Sequence, residues 1–321
     1  MKLLEATNKN IELATNALNS DGLVAFPTET VYGLGANGLS PFAVAKIFEA
    51  KKRPTFNPLI LHVSSIEMLN KIAIVDNFKI DRLIKTFWPG PLTLVLPKKN
   101  IVPDIVTAGL ETVAVRMPNN KIALELIKKL NKPIAAPSAN YFGRLSPTSA
   151  QHVNNQLGDK VDLILDGGEC SVGVESTIVK ISNDENLLLR PGGIPKEDIE
   201  SIIGDLKYRT EVETPNSPGQ LKIHYAPEIP IYFYDEKKIQ NLSNKKLGGL
   251  FFQYSKLEKN FNSIKILSPK GGFREAASNL FSFLHQLENE KLDMIFVERL
   301  EEKGIGIAIM DRLKKAVNKY L

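Results

Sequence analysis

The sequence predicts an α/β protein: a strand-rich first region with several helices packed on its sheet, then a second, smaller region. Three observations carry this. Short apolar runs bounded by turn residues recur between residues 23 and 189 and read as buried strands. Segments of helical spacing alternate with them, which implies helices layered on an α/β or α+β sheet. A polar stretch at 209–230, containing Pro215, Pro218, Gly219 and Pro227, then interrupts the periodicity before strands and helices resume.

Taken in order, residues 12–20 have helical spacing and stop at Asp21-Gly22, and 23–26 form a short strand ended by Pro27. A helix is expected over 42–51, a strand over 59–63, a helix over 81–87, and a strand over 92–96 entered through Trp88-Pro89-Gly90-Pro91. Strands at 113–116 and 134–136 flank a helix at 120–130, and 163–165, 177–180 and 187–189 complete the region. Beyond the linker, strands at 231–234, 247–252 and 294–298 alternate with helices at 273–287 and 307–319, the pattern of a small parallel sheet. The expected units are a first domain at 1–208, a linker at 209–230 and a second domain at 231–321. A length of 321 residues suits two domains of about 100–200 residues each.

Composition bounds the function. Hydrophobic residues are 43% and charged residues 24%, ordinary for a globular protein. No apolar run reaches the ~18 residues of a membrane span, and the first ten residues lack a secretory apolar stretch. Cys170 is the single cysteine, so no intrachain disulfide forms, which fits a reducing cytoplasm. The net charge of +5 permits weak RNA binding, but aromatic residues are only 7% and form no stacking series. Pairs such as Lys128-Lys129 and Lys314-Lys315 read as solvated helix faces. No exposed apolar seam is evident, so a monomer is expected.

Five clusters could carry chemistry. Pro27-Thr28-Glu29-Thr30-Val31-Tyr32-Gly33-Leu34-Gly35 follows a strand, where loops commonly hold sites. Lys51-Lys52-Arg53-Pro54 with Asn57-Pro58, followed by His62, reads either as cations on a helix end or as a phosphate grip. Ala136-Pro137-Ser138-Ala139-Asn140, Gly173-Val174-Glu175-Ser176-Thr177 and Arg190-Pro191-Gly192-Gly193 lie at strand ends, as does Arg116. On their own these last three read as turns. Gly33 to Gly38 fits Gly-x-Gly-x-x-Gly literally, but six residues separate it from the preceding strand and Pro41 precedes the next helix, so a dinucleotide site is not expected. There is no Gly-x-x-x-x-Gly-Lys-Ser/Thr loop, no Cys/His zinc cluster and no Gly-x-Ser-x-Gly elbow. The residues suit binding and charge stabilisation rather than a covalent intermediate.

Together these clusters, with Lys51-x-Arg53-Pro54-x-x-Asn57-Pro58-Leu59 and Trp88-Pro89-Gly90-Pro91-Leu92-Thr93, resemble the YrdC-type threonylcarbamoyl-AMP synthases in order and spacing. Ser217-Pro218-Gly219 with His224-Tyr225-Ala226-Pro227, and the run from Gly304 to Leu313 with Asp311-Arg312, are similar to the linker and C-terminal domain of the family's long form. One departure is Gln220-Leu221-Lys222-Ile223, where the family usually has Met-Lys-Tyr and a further residue. The resemblance implies an open, twisted sheet with a large concave cavity, a small Rossmann-like C-terminal domain, and a linker acting as a lid over a hydrolysable product. It implies a nucleotidyltransferase that joins L-threonine, bicarbonate or CO2 and ATP, with product passed to a tRNA threonylcarbamoyl transferase complex. By motif match, Lys51, Arg53, Asn57, Thr112, Ser138, Ser146, Arg190 and Tyr225 would hold ATP. Thr28, His62, Arg116 and Ser176 would hold threonine. Magnesium would arrive with ATP, held by phosphates and water. Two rival readings are an RNA-binding module and a carbamoyl transferase of the hydrogenase-maturation type, whose extra zinc-finger and acylphosphatase-like regions find no room here.

Overall fold

The computed structural model describes residues 2–182, 184–208, 218–219, 221–240, 242, 244–254 and 261–321. The first domain begins β1 (Lys2–Glu5), α1 (Asn8–Asn19), β2 (Val24–Phe26), β3 (Gly33–Asn37), α2 (Pro41–Lys51), β4 (Ile60–His62), α3 (Ile66–Ile72), α4 (Phe78–Phe87), β5 (Leu92–Pro97) and α5 (Asp104–Thr107). It continues β6 (Thr112–Arg116), α6 (Lys121–Leu130), β7 (Ile134–Ala135), α7 (Ala150–Leu157), β8 (Leu163–Asp166), β9 (Thr177–Ile181), β10 (Asn186–Arg190), α8 (Lys196–Ile203) and β11 (Lys207–Tyr208). The second comprises β12 (Ile231–Phe233), α9 (Glu236–Gln240), β13 (Leu247–Phe251), β14 (Ser263–Ile266), α10 (Phe273–Asn289), β15 (Met294–Val297) and α11 (Gly306–Val317).

The first sheet is mixed, in the order β1-β8-β2-β3-β7-β4-β6-β5-β9-β10-β11, and the second is wholly parallel, β12-β15-β13-β14. The predicted two-domain α/β architecture is therefore present. Several of its helices start where side chains cap them. Thr7 accepts from the Asn10 amide at α1, Ser40 from Ala43 at α2 with Pro41 in the first turn, and Asn120 from Ile122 and Ala123 at α6. Each places a spaced apolar face inward, such as Ile11, Ala14 and Leu18 on α1.

Two sequence expectations change. Residues 27–35 are not one loop, because Gly33–Asn37 forms β3, antiparallel to β2 with Phe26 opposite Gly33. The glycine pattern thus opens a strand, not a helix, which removes the geometry a dinucleotide fingerprint needs. Helices α3, α5, α7, α8 and α9 and strands β1, β11 and β14 also lie outside the elements expected from the sequence. Of the 209–230 linker, residues 209–217 and 220 fall outside the described set, including Ser217 and Gln220.

The domains meet through an apolar core that continues from one to the other. Val31, Leu145 and Val174 of the first domain pack with Tyr225 and Ala226 of the linker and with Leu280, Phe281 and Leu284 of α10. Gly173 makes that approach possible. Its φ is +76°, and a Cβ there would stand 2.4 Å from Ser278 Cα on α10.

Candidate active site

The functional cavity forms where strand ends of the first sheet face the linker. The turn after β2 supplies Thr28 and Thr30, the turn after α2 supplies Arg53, and β4 and β6 end on His62 and Arg116. Ser138 follows β7, Glu175 and Ser176 precede β9, and Arg190 ends β10. Gly219, His224 and Tyr225 of the linker lie over them, and the space they surround, counted with its part open to solvent, is about 570 Å3. Loops at the ends of sheet strands are a recurrent place for ligands in α/β folds.

At one end the cations and hydroxyls interlock. Arg116 stands 2.6 Å from the Glu29 carboxylate and donates through Nη1 to Thr30 Oγ1 at 2.9 Å and through Nε to the Gly90 carbonyl at 3.2 Å. Thr28 donates to the Val31 carbonyl at 2.7 Å, which fixes its hydroxyl beside Thr30. Ser176 shares a 2.7 Å hydroxyl pair with Thr93. His62 is buried with no partner on Nδ1, and burial, then the Arg116 cation, lowers it to about 3. It is therefore a neutral imidazole at the wall, unsuited to holding a proton at neutral pH.

At the other end two guanidinium groups face the linker. Lys52 takes a left-handed conformation, φ 50°, which ends α2 and turns Arg53 into the cavity. Arg53 donates to the Asn57 carbonyl at 3.1 Å and to that of Pro58 at 2.8 Å. Arg190 donates to the Ser176 carbonyl at 2.9 Å and to its hydroxyl at 3.0 Å. Burial works against both cations, bringing Arg53 down to about 9. Their donors are thus aimed and poorly hydrated, a good preparation for an anion. Gly219 passes so close that a Cβ would meet Arg190 Cδ at 2.7 Å, and its φ is +87°.

Tyr225 closes this end. It is buried at 2% exposure, and its backbone has φ 64°, a costly value for a bulky residue that persists only where surroundings enforce it. Burial and Glu175 raise its phenol to about 12, so it stays protonated. His224 packs edge-on to Tyr225 and to Phe142, with burial, then Arg53 and Lys51, holding it well below its ordinary value.

Not every sequence candidate lines the cavity. Thr28, Arg53, His62, Arg116, Ser138, Ser176, Arg190 and Tyr225 do. Lys51 is buried behind the wall, donating to the carbonyls of Ser138 and Asn140, because the end of α2 packs under that loop. Asn57 is also buried, and neither amide atom of its side chain has a partner. Ser146 donates to Glu175 Oε1 at 2.5 Å rather than facing the cavity. Thr112 stands at the far end of β6, opposite Pro97 and four residues before Arg116, about 13 Å along the strand. The sequence reading passed over Thr30, Glu29, Glu175 and His224 as site residues, although each sits within a motif it quoted. It also passed over Arg312 as a site residue, although Arg312 lies in the quoted run from Gly304 to Leu313.

Arg312 rises from α11 into the domain boundary. Its Nε donates to Glu175 Oε2 at 2.8 Å and its Nη1 to the Pro191 carbonyl at 2.9 Å, while its guanidinium lies 5.0 Å from the Tyr225 ring centroid. Burial opposes the charge, but Tyr225, Glu175 and Asp311 hold it above the ordinary arginine value. Burial likewise disfavours the Glu175 anion, yet Arg312 and Arg190 hold it below the ordinary range. The pair is therefore ionised.

Fold and site together define a two-domain α/β protein with an arginine- and hydroxyl-lined cavity closed by its interdomain linker. Residues 16–192 match a family model described as telomere recombination, and residues 194–317 match the threonylcarbamoyl-AMP synthase C-terminal domain. The chain belongs to the threonylcarbamoyl-AMP synthase family. It is 44% identical to the threonylcarbamoyl-AMP synthase of Pyrococcus abyssi, over 95% of this chain and 93% of that one. It is 41% identical to the Bacillus subtilis synthase, over 98% and 94% respectively. The solved structure of P. abyssi Sua5 complexed with L-threonine superposes with a TM-score of 0.91 at 42% identity, covering 99% of this chain and 98% of that one.

Proposed function

We propose that this protein makes threonylcarbamoyl-AMP and pyrophosphate from L-threonine, bicarbonate or CO2, and ATP, as a nucleotidyltransferase serving tRNA modification. The observation that supports it most is the division of one cavity into two anion-accepting ends. Arg116, set among Thr28, Thr30, His62 and Ser176, suits an amino-acid carboxylate and hydroxyl. Arg53 and Arg190, beneath Tyr225 and beside Ser138, suit nucleotide phosphates.

In this reading the threonine amine adds to CO2 to give a carbamate, whose oxygen then attacks the α-phosphorus as pyrophosphate leaves. Such chemistry needs positioning and charge neutralisation rather than a protein nucleophile. Arg116 orients the carboxylate, and the neutral His62 borders the amine without competing as a cation. Arg53 and Arg190 neutralise phosphate charge. Lys51 and Asn57 support them from behind the wall, and Ser146 acts through Glu175. Thr112 would be reached by the far end of the nucleotide. Tyr225 and His224 exclude water from the mixed anhydride. Magnesium would travel on the phosphates and water, because Glu175, the one carboxylate lining the cavity among the described residues, is already engaged by Ser146 and Arg312. We further propose cytoplasmic action as a monomer, with product transfer to a tRNA threonylcarbamoyl transferase complex and at most weak RNA binding. Among the described residues no helix is long and apolar enough to cross a membrane.

The direct experiment supplies ATP, threonine and bicarbonate and measures pyrophosphate. Release should depend on threonine. Equal turnover with glycine or valine would overturn the substrate assignment.

A further inference from the structure

Among the described residues the second domain offers no wall residue to the cavity other than through the linker, yet α11 and the residues after it hold that cover in place. Lys315 Nζ on α11 donates to the Gly219 carbonyl at 2.7 Å, and its own carbonyl accepts from the His224 amide at 3.3 Å. Asn318 donates to the Lys222 carbonyl at 3.2 Å, and Tyr320 donates to that of Pro227 at 2.7 Å. Asp311 bridges Lys315 and Arg312, at 2.7 Å from each. The described linker residues between Gly219 and Pro227 are thus fastened to α11 and to the residues that follow it.

Arg312 is where this fastening meets the catalytic domain. Its guanidinium grips Glu175 and the Pro191 carbonyl on one side and packs on the Tyr225 ring on the other. Pro191 directly follows Arg190, and Glu175 directly precedes Ser176, the residue that Arg190 holds through its carbonyl and hydroxyl. One side chain therefore touches both neighbours of the Arg190–Ser176 pair and the ring that covers them. A buried ion pair adds little net stability over well-packed apolar residues, so its use here fits a demand for fixed position. The positive φ of Tyr225 requires such enforcement.

We infer that Arg312 is the positioning residue through which the C-terminal domain sets the nucleotide end of the site: it holds Glu175, Pro191 and Tyr225 so that Arg190 and the Tyr225 ring meet ATP in register. It touches no substrate. This inference rests on the nucleotide lying beside Arg53, Arg190 and Tyr225.

Steady-state pyrophosphate release, with ATP and threonine varied separately, tests it on the full chain. Arg312→Ala should raise KM for ATP by about tenfold or more while KM for threonine stays within about twofold. Arg312→Lys, which keeps the charge but not the fork, should recover part of the loss. Because Arg312 acts partly through Glu175, the Arg312→Ala and Glu175→Ala effects on KM for ATP should combine to less than their product. Equal rises for both substrates, or fully multiplicative effects, would overturn the inference. If Arg312→Ala does not fold, the neutral pair Arg312→Gln with Glu175→Gln replaces it, and an unchanged KM for ATP in that folded pair would likewise overturn it. Arg53→Ala separates the two levels. Without a rise in KM for ATP there, the placement of the nucleotide fails, whatever Arg312 does.

Discussion

His152 of α7 and His285 of α10 stack across the domain boundary, their ring centroids 3.9 Å apart. His152 Nδ1 accepts from the Thr148 amide, and His285 Nε2 lies 3.2 Å from the Ser146 carbonyl, so a defined partner sets the tautomer of each ring. Burial lowers His152 to about 4, and burial, with the cost of a second positive charge beside His152, lowers His285 to about 3. Arg144 and Glu288 are the charged groups beside them, with Glu288 4.0 Å from His285. The unfolded rings titrate near 6.5. Stability from this pair is therefore complete above pH 6.5 and lost as pH falls from there toward 4 and, for His285, toward 3, because the unfolded state binds the extra protons. Each such proton contributes about 1.4 kcal/mol per pH unit. Urea unfolding across that range should show the slope, and His152→Phe, which keeps the stacking, should reduce it by about one proton.

The two arginine ends should separate kinetically. Arg53→Ala is expected to raise KM for ATP by about ten- to a hundredfold, the size of a lost charged hydrogen bond, with threonine little affected. Arg116→Ala should do the reverse. Initial-rate measurements against each substrate decide it, and a swapped pattern would exchange the assignments.

Glu29→Gln leaves the Arg116 guanidinium buried without its anion. A loss of about 3 to 5 kcal/mol in unfolding free energy is expected. Added threonine, whose carboxylate replaces the missing charge, should recover more of the thermal midpoint in this variant than in the parent. Thermal scans with and without threonine read both effects.

Gly173→Ala puts a methyl group against Ala277 and Ser278 at a backbone conformation that alanine resists. The domains should dock less well, so that one calorimetric transition becomes two. A single unshifted transition would show that the close approach is dispensable.

The legible parts of this molecule were those with local signals. Strands such as Leu92–Pro97 declare themselves by apolar runs, and α6 by a capped amphipathic face. Strand β3 does not, because Gly-Leu-Gly-Ala-Asn contains no β-branched residue and its small side chains serve close packing against Phe26. Helix α7 is hidden by polarity, burying only Ala150, Val153 and Leu157. At the site, residues facing the cavity came with their motifs. The distinction between lining it and backing it did not, so Lys51 and Ser146 read like Arg53 and Ser138. Arg312 lay beyond reach because its role depends on a partner 137 residues away.

That separation has a consequence for biosynthesis. At about 5–20 residues per second, the ribosome delivers Arg312 on the order of ten seconds after Glu175. Through that interval a nascent first domain can fold around Arg53, Arg116 and Arg190 while Glu175 has no Arg312 and the cavity has no fastened cover. Emergence of α11 then converts an open basin into a reaction chamber, so competence to react waits for a helix made long after the cavity walls.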